Sequence, residues 1–347
     1  MAEKSNNIIP RAHLYMKDSV IQKDNPLGIS GDRSKWASNL NFDENAEYLF
    51  FAGCGYQTMK YTLELMHAAK GMKKIGMDMN KTLGFASFFK SSHLDISSMT
   101  AKVLSYGKND TYSGILMDAV KVLQKLNVRM KYIGQSEPCC GSPLYYSGFV
   151  MDFKENAIKF NETIKPYGIQ KIISMIPACT NSLRTYYPEL IDDFDFDVKH
   201  FVEIVHERLI DSEIELRLPE KTQITYHDPC QLSRYLKIVD EPRAIFSKID
   251  RLEFVEAEPE QSGKWSTCCG GGGGLEVASP ELSEKLAQDR AAELQATGAS
   301  IIVTSCPFCM MQLRKGVKKL KTDIRVIDMA QLLAMALDDT DSNEKQK

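Results

Sequence analysis

Residues 301–309 read IIVTSCPFC, a short apolar run that leads directly into two cysteines. The run from Ile301 to Thr304 is rich in β-branched residues, which predicts a buried strand. A segment with the helical spacing of apolar residues, Glu281 to Ala296, precedes it. The same alternation recurs along the chain. Strands that alternate with helices predict an α/β fold with mostly parallel sheets.

The remaining elements are predicted from the same two periodicities. Further strands are predicted at residues 47–52, 128–134, 171–176, 222–227 and 324–327. Further helices are predicted at residues 56–70, 115–126 and 330–337. In such folds, ligands gather in the loops that follow the carboxyl ends of the strands.

The chain repeats one order of cysteine motifs. In each half a strand runs into a cysteine, as FFAGC at Cys54 and as YHDPC at Cys230. An adjacent pair followed by glycine comes next, as EPCCGS and as TCCGGG. A strand with a further cysteine closes each half, as IPAC and as TSCPFC. The sequence therefore predicts two copies of one α/β unit, joined near residues 212–221.

This repeat divides the chain into four regions. They are an extended N-terminal arm (1–45), a first CCG-type unit (46–215, with an insertion at about 75–110), a second unit (220–338) and a flexible tail (339–347). The arm is polar and broken by proline and glycine, and Trp36 is its expected anchor. A mobile tail is the alternative for this region. No function is assigned to the insertion.

The bulk composition indicates a globular protein with two domains. The chain has 347 residues, 43% of them hydrophobic and 26% charged, and a formal net charge of −3. Because binding to nucleic acid or to an anionic membrane needs a basic surface, neither is expected as a partner. No apolar stretch approaches the roughly 18 to 20 residues of a membrane span, and the first residues lack the apolar core of a secretion signal. We therefore expect a cytoplasmic protein.

Nine cysteines are the most informative feature of the composition. An odd number cannot form a complete set of intrachain disulfides, and clustered thiols in a reducing compartment more often bind metal. Each group follows a predicted strand, so the thiols are expected to meet at the carboxyl edges of the sheets. The predicted metal ligands are Cys54, Cys139, Cys140, Cys179, Cys230, Cys268, Cys269, Cys306 and Cys309.

The metal is predicted to be iron with sulfide rather than zinc. A structural zinc ion takes four ligands, whereas the second half offers five cysteines. The adjacent pair Cys268-Cys269 is awkward for one tetrahedral ion, but two neighbouring thiolates can serve different irons of a cluster.

Three glycines are predicted to contact this cofactor. The run Gly270 to Gly274 is not followed by the Lys-Ser or Lys-Thr of a phosphate loop. Glycine instead lets the backbone approach inorganic sulfide closely, and its N–H can donate to sulfur. We assign this role to Gly141, Gly270 and Gly271, with a merely flexible loop as the alternative.

His227 and Arg234 flank Cys230 and are predicted to be catalytic. His227 would donate a proton beside the cluster or orient a ligand. The alternative is structural, because a histidine in such a place more often caps a turn or pairs with aspartate, and Asp228 is its neighbour.

The second half contains one ordered set of motifs, namely Cys230, then Cys268-Cys269-Gly270, then Cys306-Pro307-Phe308-Cys309. This set resembles the cysteine-rich CCG domain of the B subunit of heterodisulfide reductase and its relatives, and as a tandem pair the resemblance covers roughly residues 46 to 335. It implies that the five cysteines hold a noncubane [4Fe–4S] cluster. Such a cluster engages a substrate sulfur and helps to cleave a disulfide in one-electron steps.

The first half departs from this pattern. Ser182 stands where the last cysteine is expected, and the gap that follows Cys54 is much longer than in the second half. The four remaining cysteines suffice for a cubane [4Fe–4S] cluster. We predict a cubane-type or altered cluster there, with an empty or purely structural site as the alternative.

The resemblance implies a B-type subunit of a heterodisulfide-reductase-like complex that acts on a thiol, a disulfide or a sulfur carrier. The altered first motif favours the complex of sulfur oxidisers. The sequence has neither a ferredoxin-type cysteine motif nor a G-x-G-x-x-G fingerprint, so the chain is expected to work as one subunit of a complex. The resemblance implies that its partners are a ferredoxin-like C subunit and a flavin-containing A subunit. The alternatives are an electron-transfer subunit of a glycolate or lactate oxidase or a quinone reductase, and a zinc-binding assembly module.

Overall fold

The structure, a computed structural model, describes residues 9–74, 96–210 and 212–344. The helices are α1 Arg11–Lys23, α2 Cys54–Lys74, α3 Ile96–Leu104, α4 Thr111–Lys125, α5 Ser142–Tyr146, α6 Val150–Ile164, α7 Pro177–Asn181, α8 Tyr187–Leu190, α9 Phe201–Ile210, α10 Asp240–Ser247, α11 Leu275–Ala278, α12 Pro280–Gln295, α13 Pro307–Leu320 and α14 Met329–Glu344. The strands are β1 Tyr48–Phe51, β2 Met130–Lys131, β3 Lys171–Ser174, β4 Asp197–His200, β5 Leu216–Tyr226, β6 Ile249–Phe254, β7 Ile301–Thr304 and β8 Arg325–Asp328. Two π-helical turns span Ser182–Tyr186 and Gln231–Tyr235.

Each half contains one four-stranded sheet, and both sheets have the same topology. The strand orders are β2-β1-β3-β4 and β6-β5-β7-β8, and every pairing is parallel. The first strand of each half lies inside its sheet, and β1 and β7 are buried along their whole length. The predicted α/β fold with two related units and mostly parallel sheets is confirmed. Among the described residues, no helix is both long and apolar enough to cross a bilayer.

All six predicted strands are present, and the two that the sequence analysis did not find lie at sheet edges. Strand β4 pairs only with β3, and β6 pairs only with β5. Strand β6 reads IDRLEF and exposes its charged side chains. Edge strands tolerate such charges, which hide the alternating apolar pattern in the sequence.

The prediction of an extended arm is wrong for residues 11–23, which form α1. Val20 is fully buried in this helix, and α1 packs against α5 and α6. The helix is polar overall, so this tertiary contact stabilises it rather than a strong periodic pattern. Trp36 is buried as expected, with its ring 4.9 Å from that of Tyr132.

The other regional boundaries stay predictions. Residues 75–95 of the predicted insertion lie outside the described residues, and α3 covers 96–104. Strand β5 begins at Leu216, within the predicted junction of the two units. The tail predicted from residue 339 is helical up to Glu344, because α14 continues through it.

The two halves share one buried core and are joined by a buried hydrogen bond. Helix α14 of the second half packs on α4 of the first. The hydroxyl of Tyr56, on α2, donates to Oδ2 of Asp328 at 2.5 Å, at the end of β8. The other carboxylate oxygen accepts the backbone N–H of Ala330 at 3.0 Å and so caps α14.

We expect Asp328→Asn to flatten the pH dependence of stability. Burial raises the pKa of Asp328 to about 6 from an ordinary 3.8. The folded state therefore binds this proton more tightly, so the contribution of Asp328 to the free energy of unfolding falls as the pH rises from about 4 to about 6. The difference in the free energy of unfolding between wild type and variant should change by about 1–3 kcal/mol between these two pH values. Urea unfolding at several pH values measures it, with the exposed Asp323→Asn as control; parallel profiles would contradict the assignment.

Candidate metal centres

The nine thiols fall into two groups, and all nine are free. Cys54 opens α2 directly after β1, and Cys179 lies on α7 after β3. Cys230 follows β5, and Cys306 caps α13 after β7. Parallel strands bring these positions to the carboxyl edge of each sheet. The adjacent pairs, 139–140 and 268–269, reach the same edges on longer loops.

The first centre consists of Cys54, Cys139, Cys140 and Cys179. The Sγ atoms of Cys54 and Cys139 are 3.8 Å apart, and those of Cys140 and Cys179 are 3.0 Å apart. Electrostatic interactions link Cys54 to both thiols of the second pair. The hydrogen bond with Cys139, and then burial, raise the pKa of the Cys54 thiol well above its ordinary value. All four side chains are buried, so the group is closed to solvent.

Glu137, which the sequence analysis missed, holds the first centre together. Its carboxylate accepts the backbone N–H groups of Ala52 at 2.8 Å and Gly53 at 2.9 Å, and the side-chain amide of Gln57 at 2.8 Å. Burial raises the pKa of Glu137 to about 7, against the opposing effect of Arg33. The residue therefore ties the loop before Cys54 to the loop that carries the adjacent pair.

Two further side chains form hydrogen bonds with the backbone of the adjacent pair Cys139-Cys140. Asn156 donates to the carbonyl oxygen of Cys139 at 2.8 Å, and the Tyr187 hydroxyl donates to that of Cys140 at 3.0 Å. Gly141 has φ +67°, and a Cβ there would lie 2.7 Å from Asn156 Nδ2. Close packing thus requires this glycine, and its contact with a cofactor stays a prediction.

The second centre consists of Cys230, Cys268, Cys269, Cys306 and Cys309. The Sγ atoms of Cys269 and Cys309 are 3.2 Å apart, and Cys306 belongs to the same buried cluster. Electrostatic interactions link Cys230 to Cys269, Cys306 and Cys268. The five thiols therefore converge, as the sequence predicts.

The thiols of the second centre differ in exposure and in pKa. Cys230 and Cys268 are partly exposed, whereas the other three are buried. Burial raises the pKa of Cys230 to about 11. Hydrogen bonds with Cys268 and Cys309 hold the pKa of Cys269 well below its ordinary value, and His227 acts in the same direction. The second centre thus has a closed side at Cys269 and an open side at Cys230 and Cys268.

Gly270 and Gly271, the first two residues of the glycine run, lie too close to their neighbours to carry a side chain. The N–H of Gly270 donates to Cys268 Sγ at 3.3 Å, which is the kind of contact that the sequence predicts with sulfur. A Cβ at Gly270 would lie 2.6 Å from the carbonyl oxygen of Ser283, and one at Gly271 would lie 2.8 Å from Gln312 Cγ. These glycines let the loop lie against α12 and α13; their contact with a cofactor stays a prediction.

Arg234 supports the loop that leads to Cys268. Its Nε donates to the carbonyl oxygen of Lys264 at 2.9 Å, and one terminal nitrogen donates to that of Ser266. Asp228, which the sequence analysis weighed as a partner of His227, instead pairs with Arg243 at 2.8 Å and accepts the N–H of Gly263. The catalytic role of Arg234 stays a prediction.

The two centres face each other across the junction of the halves. A Cβ at Gly55, next to Cys54, would lie 3.1 Å from the ring of Phe308, between Cys306 and Cys309. Hydrogen bonds also join the two halves beside Cys230. Asn181 of the first half donates to the side-chain oxygen of Gln231 at 3.0 Å, and the Tyr146 hydroxyl donates to the same oxygen at 2.8 Å.

The donor atoms fit iron–sulfur chemistry. Thiolates are the usual protein ligands of iron–sulfur clusters. The second centre gathers one thiol more than a tetrahedral ion binds, as well as the buried His227. In the first centre, Ser182 is fully buried one helical turn after Cys179, and its Oγ has no hydrogen-bond partner among the described residues.

A family model described as a cysteine-rich domain, CCG, matches residues 105–184 and 224–314. The chain therefore carries two CCG domains in tandem, one in each half. The second CCG match includes all five thiols of the second centre. The first match begins after Cys54, in agreement with the long gap that follows this residue.

Three relatives show where CCG domains occur. The D subunit of dihydromethanophenazine:CoB–CoM heterodisulfide reductase of Methanosarcina mazei is 33% identical over 62% of this chain and 54% of its own length. A protein of Methanococcus maripaludis named an iron–sulfur protein is 34% identical over 62% of this chain and 42% of its own length. The EtfAB:quinone oxidoreductase of Syntrophomonas wolfei is 29% identical over 66% of this chain and 33% of its own length. The chain thus spans about half, or less, of the length of these relatives, one of which is named an iron–sulfur protein.

Proposed function

We propose that this chain is the iron–sulfur subunit of a heterodisulfide-reductase-like complex that carries out redox chemistry on a thiol, a disulfide or a sulfur carrier. The observation that carries this proposal is the convergence of five thiols, with Cys230 and Cys268 on an open side. A sulfur substrate can reach that side, whereas the four buried thiols of the first centre are closed to it. The similarity to the D subunit of heterodisulfide reductase supports the assignment.

Each centre has its own occupant in this proposal. The five thiols of the second centre hold a noncubane [4Fe–4S] cluster, which when bound supplies one-electron steps at a substrate sulfur. The four thiols of the first centre hold a cubane-type or altered cluster. Arg234 keeps the Cys268 loop in place beside the open side. A ferredoxin-like C subunit, together with a flavin-containing A subunit, exchanges electrons with the chain, which we place in the cytoplasm.

A thiol added under mild oxidation is expected to give a new electron paramagnetic resonance signal from the second centre. The probe is 2-mercaptoethanol, and its S-methyl ether is the control, because a thioether cannot supply a thiolate. The signal should appear with the thiol only. Its absence with every thiol tested, together with ready reduction by an electron-transfer flavoprotein, would contradict action on sulfur.

A second function is favoured by a different observation. This chain is similar to the EtfAB:quinone oxidoreductase of Syntrophomonas wolfei, and the two centres face each other through Phe308. An electron-transfer subunit needs such a pair of neighbouring centres but no substrate at Cys230. Reduction of both centres without any response to thiols would select this function.

A further inference from the structure

His227 is held rigidly beside the second centre. Its backbone N–H donates to the carbonyl oxygen of Val303 at 2.9 Å, and its carbonyl oxygen accepts the hydroxyl of Thr304 at 3.1 Å. The side chain is buried, and one ring nitrogen lies within 4.8 Å of both Cys269 Sγ and Cys309 Sγ. The sheet therefore fixes the backbone of His227 at a point where its ring lies beside the thiols.

A fully buried arginine determines which ring nitrogen carries the proton. Nε of Arg290, on α12, donates to His227 Nδ1 at 3.1 Å, and Nη1 pairs with Glu293 at 2.8 Å. A guanidinium only donates, so Nδ1 must be unprotonated. A ring nitrogen that accepts a hydrogen bond carries no proton, so this contact places the ring proton on Nε2. Nε2 is buried without a well-formed hydrogen bond among the described residues, and His227 interacts with the Cys269 thiol and lowers its pKa.

The two nitrogens therefore have different surroundings. Because Nδ1 faces Arg290, Nε2 is the nitrogen that is left to face the thiols. Its N–H is a donor that lies beside the thiolates of Cys269 and Cys309, which are acceptors. A nitrogen that carries a proton has no lone pair for a metal ion and cannot act as a base.

We infer that Arg290 is a positioning residue that locks His227 in the tautomer whose Nε2–H donates to the thiolates of the second centre, and so raises the reduction potential of that centre. Hydrogen bonds to sulfur stabilise the more negative, reduced state of an iron–sulfur site. The inference rests on the proposed function for the occupant of the centre. It replaces the expected role of His227 as a proton donor to substrate, because the N–H of this tautomer is the one that the hydrogen bond to the thiolates uses.

The first half supplies an internal comparison. Phe51 stands three residues before Cys54, just as His227 stands three residues before Cys230. Its ring packs against Phe160 with the centroids 5.4 Å apart. An aromatic pair in the first half thus takes the place of the histidine–arginine pair in the second. The donor distinguishes the second centre from the first.

Redox titration of the anaerobically prepared protein tests this inference with a matched variant. His227→Phe introduces the residue that the first half has at this position. We expect it to lower the midpoint potential of the second centre by ~59 mV, which corresponds to a tenfold change in the equilibrium constant for one-electron reduction. The first centre serves as an internal reference and should not shift. His227→Gln, which keeps a side-chain N–H, should recover part of the shift. An unchanged potential in His227→Phe at full iron content would overturn the inference.

A double-mutant cycle tests whether Arg290 acts through His227. Arg290→Gln should lower the same potential, and His227→Phe should then add little to it. Additive shifts would overturn the positioning role. Arg290→Lys, which keeps the buried charge, replaces Arg290→Gln if that variant does not fold.

Nitrogen NMR distinguishes failure of this inference from failure of the proposed function. In protein loaded with Zn²⁺ alone, ¹⁵N-labelled His227 should be protonated at Nε2, and this result does not depend on an iron–sulfur cluster. A proton on Nδ1, or a nitrogen signal typical of zinc coordination, would overturn the inference. Absence of iron and sulfide from the native protein would count against the proposed function alone.

Discussion

The Cys268→Ser variant is expected to lose the metal cluster of the second centre and to keep that of the first. Cys268 lies on the open side of the second centre, interacts electrostatically with Cys230, and has no contact with the four thiols of the first centre among those described. A serine hydroxyl is a hard and weakly acidic ligand, so iron binding there should fall by at least about tenfold. Cys179→Ser should have the converse effect, because Cys179 contacts Cys140 at 3.0 Å.

Iron analysis together with electron paramagnetic resonance of both variants measures this result. The noncubane signal should be absent in Cys268→Ser and present in Cys179→Ser. Thr267→Ser, next to Cys268, controls for a change in the loop that spares the ligands. Loss of both signals in either variant would show that the centres do not form independently.

Glu137→Leu is expected to destabilise the protein by about 3–5 kcal/mol and to empty the first centre selectively. The variant leaves the buried N–H groups of Ala52 and Gly53 without the acceptor that they have at 2.8 and 2.9 Å. It also releases the amide of Gln57. The loop before Cys54 then loses its connection to the adjacent pair.

Urea unfolding and iron content measure this effect. Glu155→Leu, at an exposed position on α6, is the matched control and should be nearly neutral. A free energy of unfolding within about 0.5 kcal/mol of the wild type would contradict the role given to Glu137.

The repeat is visible in the sequence because each copy carries the same signals. Three apolar runs that lead into a cysteine predict β1, β7 and the last part of β5. Parallel pairing then requires the cysteines to meet at one edge. The convergence of the five thiols therefore follows from local patterns and topology together.

The supporting residues could not be predicted because their partners are distant in the chain. Glu137 binds backbone groups about 85 positions earlier, and Arg290 binds a histidine 63 positions earlier. Both look like ordinary surface charges in the sequence, since charged residues are rarely buried. Helix α1 could not be predicted for the same reason, because it is polar and its buried Val20 packs against residues that are distant in the chain. An acidic residue two positions before an adjacent cysteine pair is the one signal that could have identified Glu137.

The most direct measurement is the content of iron, acid-labile sulfide and zinc in protein purified without oxygen. Two four-iron clusters predict a brown protein with about eight irons and about eight sulfides per chain. Complete loss of the first cluster should leave about half of each. A colourless protein without sulfide, or one with stoichiometric zinc and little iron, would contradict the account.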